Sequence, residues 1–369
     1  MKALFLIRDL PDPPDNGYKK RNFYLIKALE ARGVEVIVKI EDEHGSKMKA
    51  LFFSLFSALP FSVKFRTSDK IRKNIANYLV ENPVDIIICD AVQRALNIPH
   101  DNTTLKVLYE HNIESVIFKR YAENERNIFK KIFAFMEYIK LSNFEKKMWK
   151  RFDCSIACSE LDKKAMERRV EGIKVFVIKN GVDSEFFKPG TKLPIDRNKL
   201  VYTGQIGWHP NEDAITYFVN EIFQRIKKEM PLATLCIVGK EPSAKIRALA
   251  EKDASITVTG FVEDVRPFIA KAGVYIVPLR VGAGTRLKIL EALSMKKAVV
   301  STSIGCEGLD VIDGEHLLIR DTPDEFAKAV LELMKNDEMR QKLGESGRRL
   351  VEEQYDWDGV FKELDVILK

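Results

Sequence analysis

Short, continuously apolar runs rich in β-branched residues recur along the chain, separated by stretches in which apolar residues return every three to four positions. In the first half the runs occupy residues 3–7, 34–40, 84–89, 105–109, 154–157 and 175–178. In the second they occupy 200–203, 234–238, 256–259, 274–277, 298–301 and 316–319. Most do not alternate apolar with polar positions, which is how strands buried on both faces of a parallel sheet read. Helical periodicity fills 22–32, 130–150, 213–228, 286–295 and 323–335, and beyond Asp321 the pattern is helical to the end. Strand–helix alternation repeated six times, and then six times again, predicts an α/β protein of two doubly wound parallel-sheet domains. Lys188-Pro189-Gly190 and Pro194 punctuate a polar stretch where one domain should give way to the next.

Composition narrows the class. A chain of 369 residues is too long for one ordinary core. With 46% hydrophobic and 31% charged residues it does not read as disordered. No apolar run reaches the ~18 residues of a spanning helix, and the best candidate, 50–63, contains Pro60. The opening Met1-Lys2-Ala3-Leu4-Phe5-Leu6-Ile7-Arg8 has the charge and apolar centre of a short leader. Asp9, Asp12 and nearby prolines interrupt it and no small-residue cleavage site follows, so it reads as a buried first strand. Cys89, Cys154, Cys158, Cys236 and Cys306 are scattered, four of them in strand-like runs. They read as small hydrophobes in a reducing, cytoplasmic setting, not as zinc ligands.

Charge is uneven. Residues 1–184 carry 33 Lys and Arg against 25 Asp and Glu, while the remainder carries 27 against 29. A basic half suits an anionic partner such as a phospholipid surface, a lipid-linked phosphate or nucleic acid; solvated lysines account for it equally well. A basic aromatic platform or a known nucleic-acid motif is missing, so no nucleic-acid partner is expected.

In open α/β sheets ligands bind beyond the carboxyl ends of strands, where helix N-termini present unpaired N–H groups. The most suggestive such loop runs from Val277 to Ala292. Gly282 and Gly284 would let the backbone approach a phosphate, Arg286 and Lys288 add positive charge, and Glu291 could accept from a ribose diol. Residue chemistry alone leaves a second reading open, a glycine turn carrying solvated cations. Neither a Walker sequence nor GxGxxG is present, which argues against a dinucleotide oxidoreductase.

That loop does not stand alone. Asn180-Gly181-Val182-Asp183 precedes it, as do Tyr202-Thr203-Gly204-Gln205-Ile206-Gly207-Trp208-His209-Pro210-Asn211, Ile237-Val238-Gly239 and Thr259-Gly260-Phe261-Val262; Ser301-Thr302-Ser303-Ile304-Gly305-Cys306-Glu307-Gly308-Leu309 follows. In this order and spacing they resemble the retaining glycosyltransferases of family four. The resemblance implies the GT-B fold: two Rossmann-like domains facing each other across a cleft. Residues 1–187, completed by a C-terminal helix at 356–369 crossing back, would bind acceptor, and 188–355 would bind donor. It further implies transfer of a sugar, with retention, from a UDP- or GDP-linked donor to a hydroxyl of a lipid-linked or polysaccharide acceptor in cell-surface glycan synthesis. The nucleotide-sugar would be a substrate; no cofactor is expected, and no metal, since a DxD motif is absent. The setting would be cytoplasmic, with candidate peripheral contact at the inner membrane face.

Carried over position by position, the resemblance gives Glu291 the donor ribose and gives Gly282, Ala283, Gly284 and Thr285 the pyrophosphate. Gly204 and Gln205 fall in the first donor loop, and Gly260 and Phe261 beside the base. Two departures stand out. The family's second glutamate, eight positions before Glu291, is Ala283, and its phosphate-gripping Arg/Lys pair is replaced by Gln205 and Asn211. Arg286 and Lys288 are therefore expected to neutralise the diphosphate and, with His111 aimed at the transferred sugar, to be the catalytic groups. Asn16, Gly17, Tyr18 and Lys20 fall in an expected acceptor loop, with Lys19 and Arg21 as further cations toward an anionic acceptor. An ordinary strand-to-helix turn and a surface histidine are the plain alternatives for this loop and for His111. Residues 50–63 and 128–152 read either as membrane-docking or as sheet-packing helices. Two rival functions remain: a nucleotide-sugar epimerase, and a degenerate subunit that binds nucleotide without catalysis.

Overall fold

The computed structural model describes every residue except 15, 41–46, 100–102, 126, 191–193 and 283, together with the side chains of 47, 53 and 55. Ala283 thus lies outside the described residues. The chain forms two compact units, Met1–Lys179 with Phe361–Lys369, and Asn180–Val360.

In the first unit the strands β1 (Lys2–Ile7), β2 (Glu35–Ile40), β3 (Ile86–Asp90), β4 (Leu105–Tyr109), β5 (Cys154–Ala157) and β6 (Val175–Val177) form one parallel sheet in the order β2-β1-β3-β4-β5-β6. Helices α1 (Gly17–Glu30), α2 (Lys47–Leu55), α3 (Phe61–Arg66), α4 (Asp69–Glu81), α5 (Glu114–Asn124), α6 (Ile128–Arg151) and α7 (Glu160–Arg169) connect them. The apolar runs of β1, β3 and β4 are almost wholly buried, as strands covered on both faces must be.

In the second unit β7 (Asp196–Thr203), β8 (Thr234–Val238), β9 (Ile256–Val258), β10 (Ala272–Val277), β11 (Val299–Ser301) and β12 (Leu318–Ile319) form a parallel sheet in the order β12-β11-β10-β7-β8-β9. Its helices are α8 (His209–Tyr217), α9 (Gln224–Glu229), α10 (Ala244–Lys252), α11 (Arg266–Lys271), α12 (Leu287–Ser294), α13 (Pro323–Lys335), α14 (Asp337–Gln354) and α15 (Trp357–Val360). Local chemistry sets their ends. Thr322 caps α13 by accepting from the Glu325 N–H at 3.3 Å, with Pro323 in its first turn and the Glu325 carboxylate accepting from the Thr322 hydroxyl at 2.7 Å. A short α16 (Leu364–Ile367) belongs to the first unit, where Arg32 donates to the Phe361 carbonyl at 3.0 Å and to Asp365 at 2.6 Å.

The units part at Lys179, ahead of the Pro/Gly stretch. The reason is local: Val182 and Phe187 are buried in the second unit's core, and Gly181 packs so closely on Trp357 that a Cβ there would sit 2.6 Å from its ring. Strand order reverses between β1 and β3 in one sheet and between β7 and β10 in the other. A doubly wound sheet opens a crevice at such points, beyond the strand carboxyl ends, so the loops that matter are those after β1, β3, β7 and β10.

Candidate active site

The second unit's switch point gathers most of the donor residues expected from sequence. Arg286 caps the N-terminal end of α12, whose unpaired N–H groups and positive dipole end favour an anion. Its Nη1 donates to the Gly284 carbonyl, and the side chain is buried. Lys288 reaches across to the β7 loop. Its Nζ lies 2.8 Å from the Tyr202 hydroxyl and 3.0 Å from Asn211 Oδ1, above the Tyr202 ring. Tyr202 donates to Asn211 Oδ1 at 2.5 Å, and Asn211 Nδ2 donates to the Gln205 carbonyl at 2.7 Å. Glu291, on the next turn of α12, is also buried.

Two glycines make room for these cations. A Cβ on Gly204 would fall 2.7 Å from Lys288 Nζ, and one on Gly282 would fall 2.6 Å from an Arg286 guanidinium nitrogen. Gly204 at φ 152° and Gly282 at φ 135° also adopt backbone conformations that favour glycine. Burial pushes the Lys288 ammonium down to about 7 and the neighbouring Arg286 charge adds to that, with Glu291 opposing. The amine is thus poised to take up a proton when an anion arrives.

Asn211 is the position at which the resembling family carries a cation, so Lys288 places its charge beside the side chain that lacks one. The other expected donor residues scatter around this centre. Thr285 accepts from Asn180 Nδ2, and Gln205 donates to Glu241 at 2.9 Å. Gly260 has φ 70° and its carbonyl accepts from the Gly239 N–H at 3.1 Å. Phe261, 68% exposed, offers a bare ring face.

The first unit's switch point holds a second polar cluster, built on a residue that sequence reasoning did not single out. Asp90 ends β3 with no exposed surface, and accepts from the Tyr18 hydroxyl and from His111 Nε2; Arg94 Nη1 lies 3.8 Å away. The Tyr18 hydroxyl also accepts from the Arg8 N–H at 2.7 Å. Burial pushes the Asp90 carboxyl up, but His111, Arg94 and Tyr18 together outweigh it and hold it below its ordinary value. Burial dominates at His111 and holds the ring below its ordinary value despite Asp90. An ionised Asp90 accepting from a neutral ring's Nε2–H leaves Nδ1 as the imidazole's acceptor. The ring keeps 15% of its side chain exposed, enough to meet a ligand. Ala91, directly after Asp90, has φ 68° without being glycine, the kind of strained backbone that concentrates at functional sites.

The remaining acceptor-loop residues are placed less tellingly. Asn16 caps α1 through Lys19 N at 3.0 Å, Gly17 opens that helix, and Lys20 is half-buried in its first turn. Arg21 corrects an expectation. Grouped in the sequence with cations facing an acceptor, it is buried, donating to the Tyr109 hydroxyl at 2.5 Å, to Cys158 Sγ and to the Ile178 carbonyl at 3.2 Å. It ties α1 to the sheet. Glu110, next to His111, is buried and held well above its ordinary value by burial and by Glu145, accepting from Trp149 Nε1 at 3.1 Å. Among the described residues no group of three or more His, Cys, Asp or Glu is placed to hold a metal ion.

Residues 197–336, most of the second unit, match the family model described as glycosyl transferases group 1. Over 98% of its length the chain is 24% identical to an uncharacterized 44.6 kDa protein in the cps region of Klebsiella pneumoniae, covering 98% of that protein. Among solved structures, sucrose-phosphate synthase from Thermosynechococcus elongatus superposes with a TM-score of 0.76 at 17% identity, over 100% of this chain and 98% of that one. Anabaena HepE in complex with UDP-glucose superposes with a TM-score of 0.62 at 13% identity, over 100% and 99%. The chain has the GT-B fold, and residues 197–336 of its second unit match the glycosyl transferases group 1 model.

Proposed function

We propose that the enzyme transfers a hexose, with retention, from a UDP- or GDP-linked donor to a hydroxyl of a lipid-linked or polysaccharide acceptor in cell-surface glycan synthesis. The observation that carries this reading is the convergence of Arg286, Lys288 and the α12 N-terminus at the β7/β10 switch point, with Glu291 one turn further on. Three relatives support the finer points. HepE was solved with UDP-glucose, the Klebsiella protein lies in a cps region, and WaaG, a structural neighbour with a TM-score of 0.68, is involved in lipopolysaccharide biosynthesis.

In the proposed reaction the bond from the anomeric carbon to the β-phosphate oxygen breaks, and the acceptor oxygen bonds that carbon on the face the phosphate leaves. The acceptor proton passes to the departing phosphate, so no enzymic nucleophile or cofactor is required. Negative charge grows on the β-phosphate as the bond breaks. Fixed N–H groups, the buried Arg286 guanidinium and the half-buried Lys288 ammonium strengthen their grip as that charge develops, which is the condition for lowering a barrier. His111, oriented by Asp90, would contact the sugar. The acceptor loop would be 16–20, with Asn16 acting through its backbone because its side chain caps α1.

Calorimetric titration with UDP, GDP and ADP, then with their sugar conjugates, tests the donor. Arg286→Ala and Glu291→Ala should each weaken nucleotide binding by about 1–3 kcal/mol, the usual loss for a charged hydrogen bond. Unchanged affinity in both variants would remove the site assignment. Turnover of donor without acceptor would favour an epimerase, and binding with no release of nucleotide under any acceptor would favour a non-catalytic subunit.

The lowered Lys288 adds a pH dependence. A bound diphosphate raises the lysine's pKa above its unliganded value of about 7. The contribution to affinity is therefore complete below that pH and is lost as the pH rises through the liganded value. Sugar conjugates are the right probe, because their diphosphate, unlike that of UDP, does not itself titrate near neutrality. Titration in buffers of different ionisation enthalpy should show proton uptake on binding about one unit above the unliganded value and little well below it. No proton uptake at the higher pH would contradict this role for Lys288.

A further inference from the structure

The longest helix of the first unit, α6, is apolar on two opposite faces. Ala134, Leu141, Phe144 and Met148 turn inward to the core. On the other side a stripe spaced by fours and threes runs Ile128, Ile132, Phe135, Ile139, Asn143, Lys146, Lys150, one line along a helix surface. Ile128 is 59% exposed, Ile132 52%, Phe135 53% and Ile139 45%, and the flanking Phe129 is 80% exposed. Large apolar side chains in a row on the solvent face of a helix mark an interaction surface, where isolated ones would not.

The charges sort in the same way. The two acids of α6, Glu137 and Glu145, are buried, so every charge α6 shows to solvent is Lys or Arg. Lys140, the residue after Ile139, donates from Nζ to the Ser54 carbonyl of α2 at 2.6 Å, and Glu137 accepts from the Phe61 N–H of α3 at 2.8 Å. The first of these bonds fastens to α6 the helix α2, which has no acid of its own and on which Met48 and Phe52 protrude, followed by Phe56 just past its end. Glu41, Asp42 and Glu43 precede α2 in the sequence and lie outside the described residues.

From this arrangement we infer that the outer face of α6, extended by α2, docks on an anionic lipid bilayer. Isoleucine and phenylalanine side chains would enter the boundary between headgroups and acyl chains while Lys146, Lys147 and Lys150 meet lipid phosphates. Charge complementarity selects this occupant over a second copy of the chain, because a face whose exposed charges are all basic would oppose like charges across a two-fold interface. The inference stands apart from the donor reading, since it uses no residue of either switch-point cluster.

Flotation of the full-length protein tests it, using vesicles of phosphatidylcholine alone and of phosphatidylcholine mixed equally with phosphatidylglycerol. The wild type should float with the mixed vesicles at low salt and much less with phosphatidylcholine alone or at high salt. Ile132→Ser/Phe135→Ser and, separately, Lys146→Glu/Lys150→Glu should each reduce binding by roughly tenfold or more. Ile132, Phe135 and Lys150 are exposed and Lys146 is half-buried, so both variants should keep the wild-type melting temperature and nucleotide affinity, and those controls separate lost docking from lost folding. No flotation of the wild type would overturn the inference. So would a concentration-dependent dimer in sedimentation that the Ile132/Phe135 variant abolishes, since that would assign the face to a second copy.

Discussion

Replacing Lys288 by methionine will lower kcat/KM for sugar transfer by about 10²–10³-fold, and adding Asn211→Lys to that variant will restore a substantial part of the loss. The first number is the usual cost of removing one preorganised group that stabilises developing charge. The second expectation comes from geometry. Lys288 Nζ stands 3.0 Å from Asn211 Oδ1, so an ammonium carried on residue 211 enters the same small volume from α8 instead of α12. Methionine fills the aliphatic path of the lysine without a charge. Because Lys288 is half-buried with its ammonium disfavoured by desolvation, losing it should not unfold the protein, and the melting temperature should hold or rise. Initial rates of nucleoside diphosphate release from the wild type, the single variant and the double variant decide the matter. Equal activity of Lys288→Met and wild type would mean that the diphosphate is neutralised elsewhere. A double variant no better than the single would mean that the cation's origin matters as much as its position.

Asp90→Asn should cut kcat by about 10–100-fold while leaving the dissociation constant of the nucleotide within about twofold, a loss of about 1.4–2.7 kcal/mol that matches one charge-assisted hydrogen bond. The amide can still accept from the Tyr18 hydroxyl, but it no longer holds the His111 Nε2–H with a full charge. The imidazole is then free to turn or change tautomer. The signature of an orienting role is coupling. His111→Ala and Asp90→Asn/His111→Ala should be about equally slow, because Asp90 acts through the ring. Tyr18→Phe should cost less, since His111 and Arg94 remain on the carboxylate. Some stability will also be lost, because Arg94 is buried beside Asp90. Comparing rates at temperatures well below each variant's melting midpoint separates this from catalysis. Additive losses in the double variant would make Asp90 a structural residue only.

What could be read from the sequence, and what could not, follows a physical division. Continuous apolar strands announce a parallel sheet by composition alone, and all twelve runs became strands, with ends shifted by only a few residues. Glycine loops and the cations after them are legible because backbone approach and charge both leave a mark on residue type. Partnerships between distant side chains leave none. Asp90 closes an apolar run, and only the β1/β3 switch point shows that such an acid meets Tyr18 and His111. Lys288 reads as one of two solvated or phosphate-facing cations, yet its amine is folded onto Tyr202 of β7 and Asn211 of α8. Arg21 follows two lysines and looks like part of the same basic patch. Helix periodicity instead turns it onto the sheet: Arg21, Leu25 and Leu29 are spaced by four, share one face of α1 and are all buried. The two apolar faces of α6 could not be told apart from sequence, because one packs on the core and the other does not, and only burial distinguishes them.

The most direct measurement is a crystal structure of the protein with whichever sugar nucleotide binds most tightly. The account predicts β-phosphate oxygens within hydrogen-bonding distance of Lys288 Nζ and the Arg286 guanidinium, with the ribose hydroxyls on the Glu291 carboxylate. A diphosphate bound at any other place on the chain, with those three side chains untouched, would contradict it.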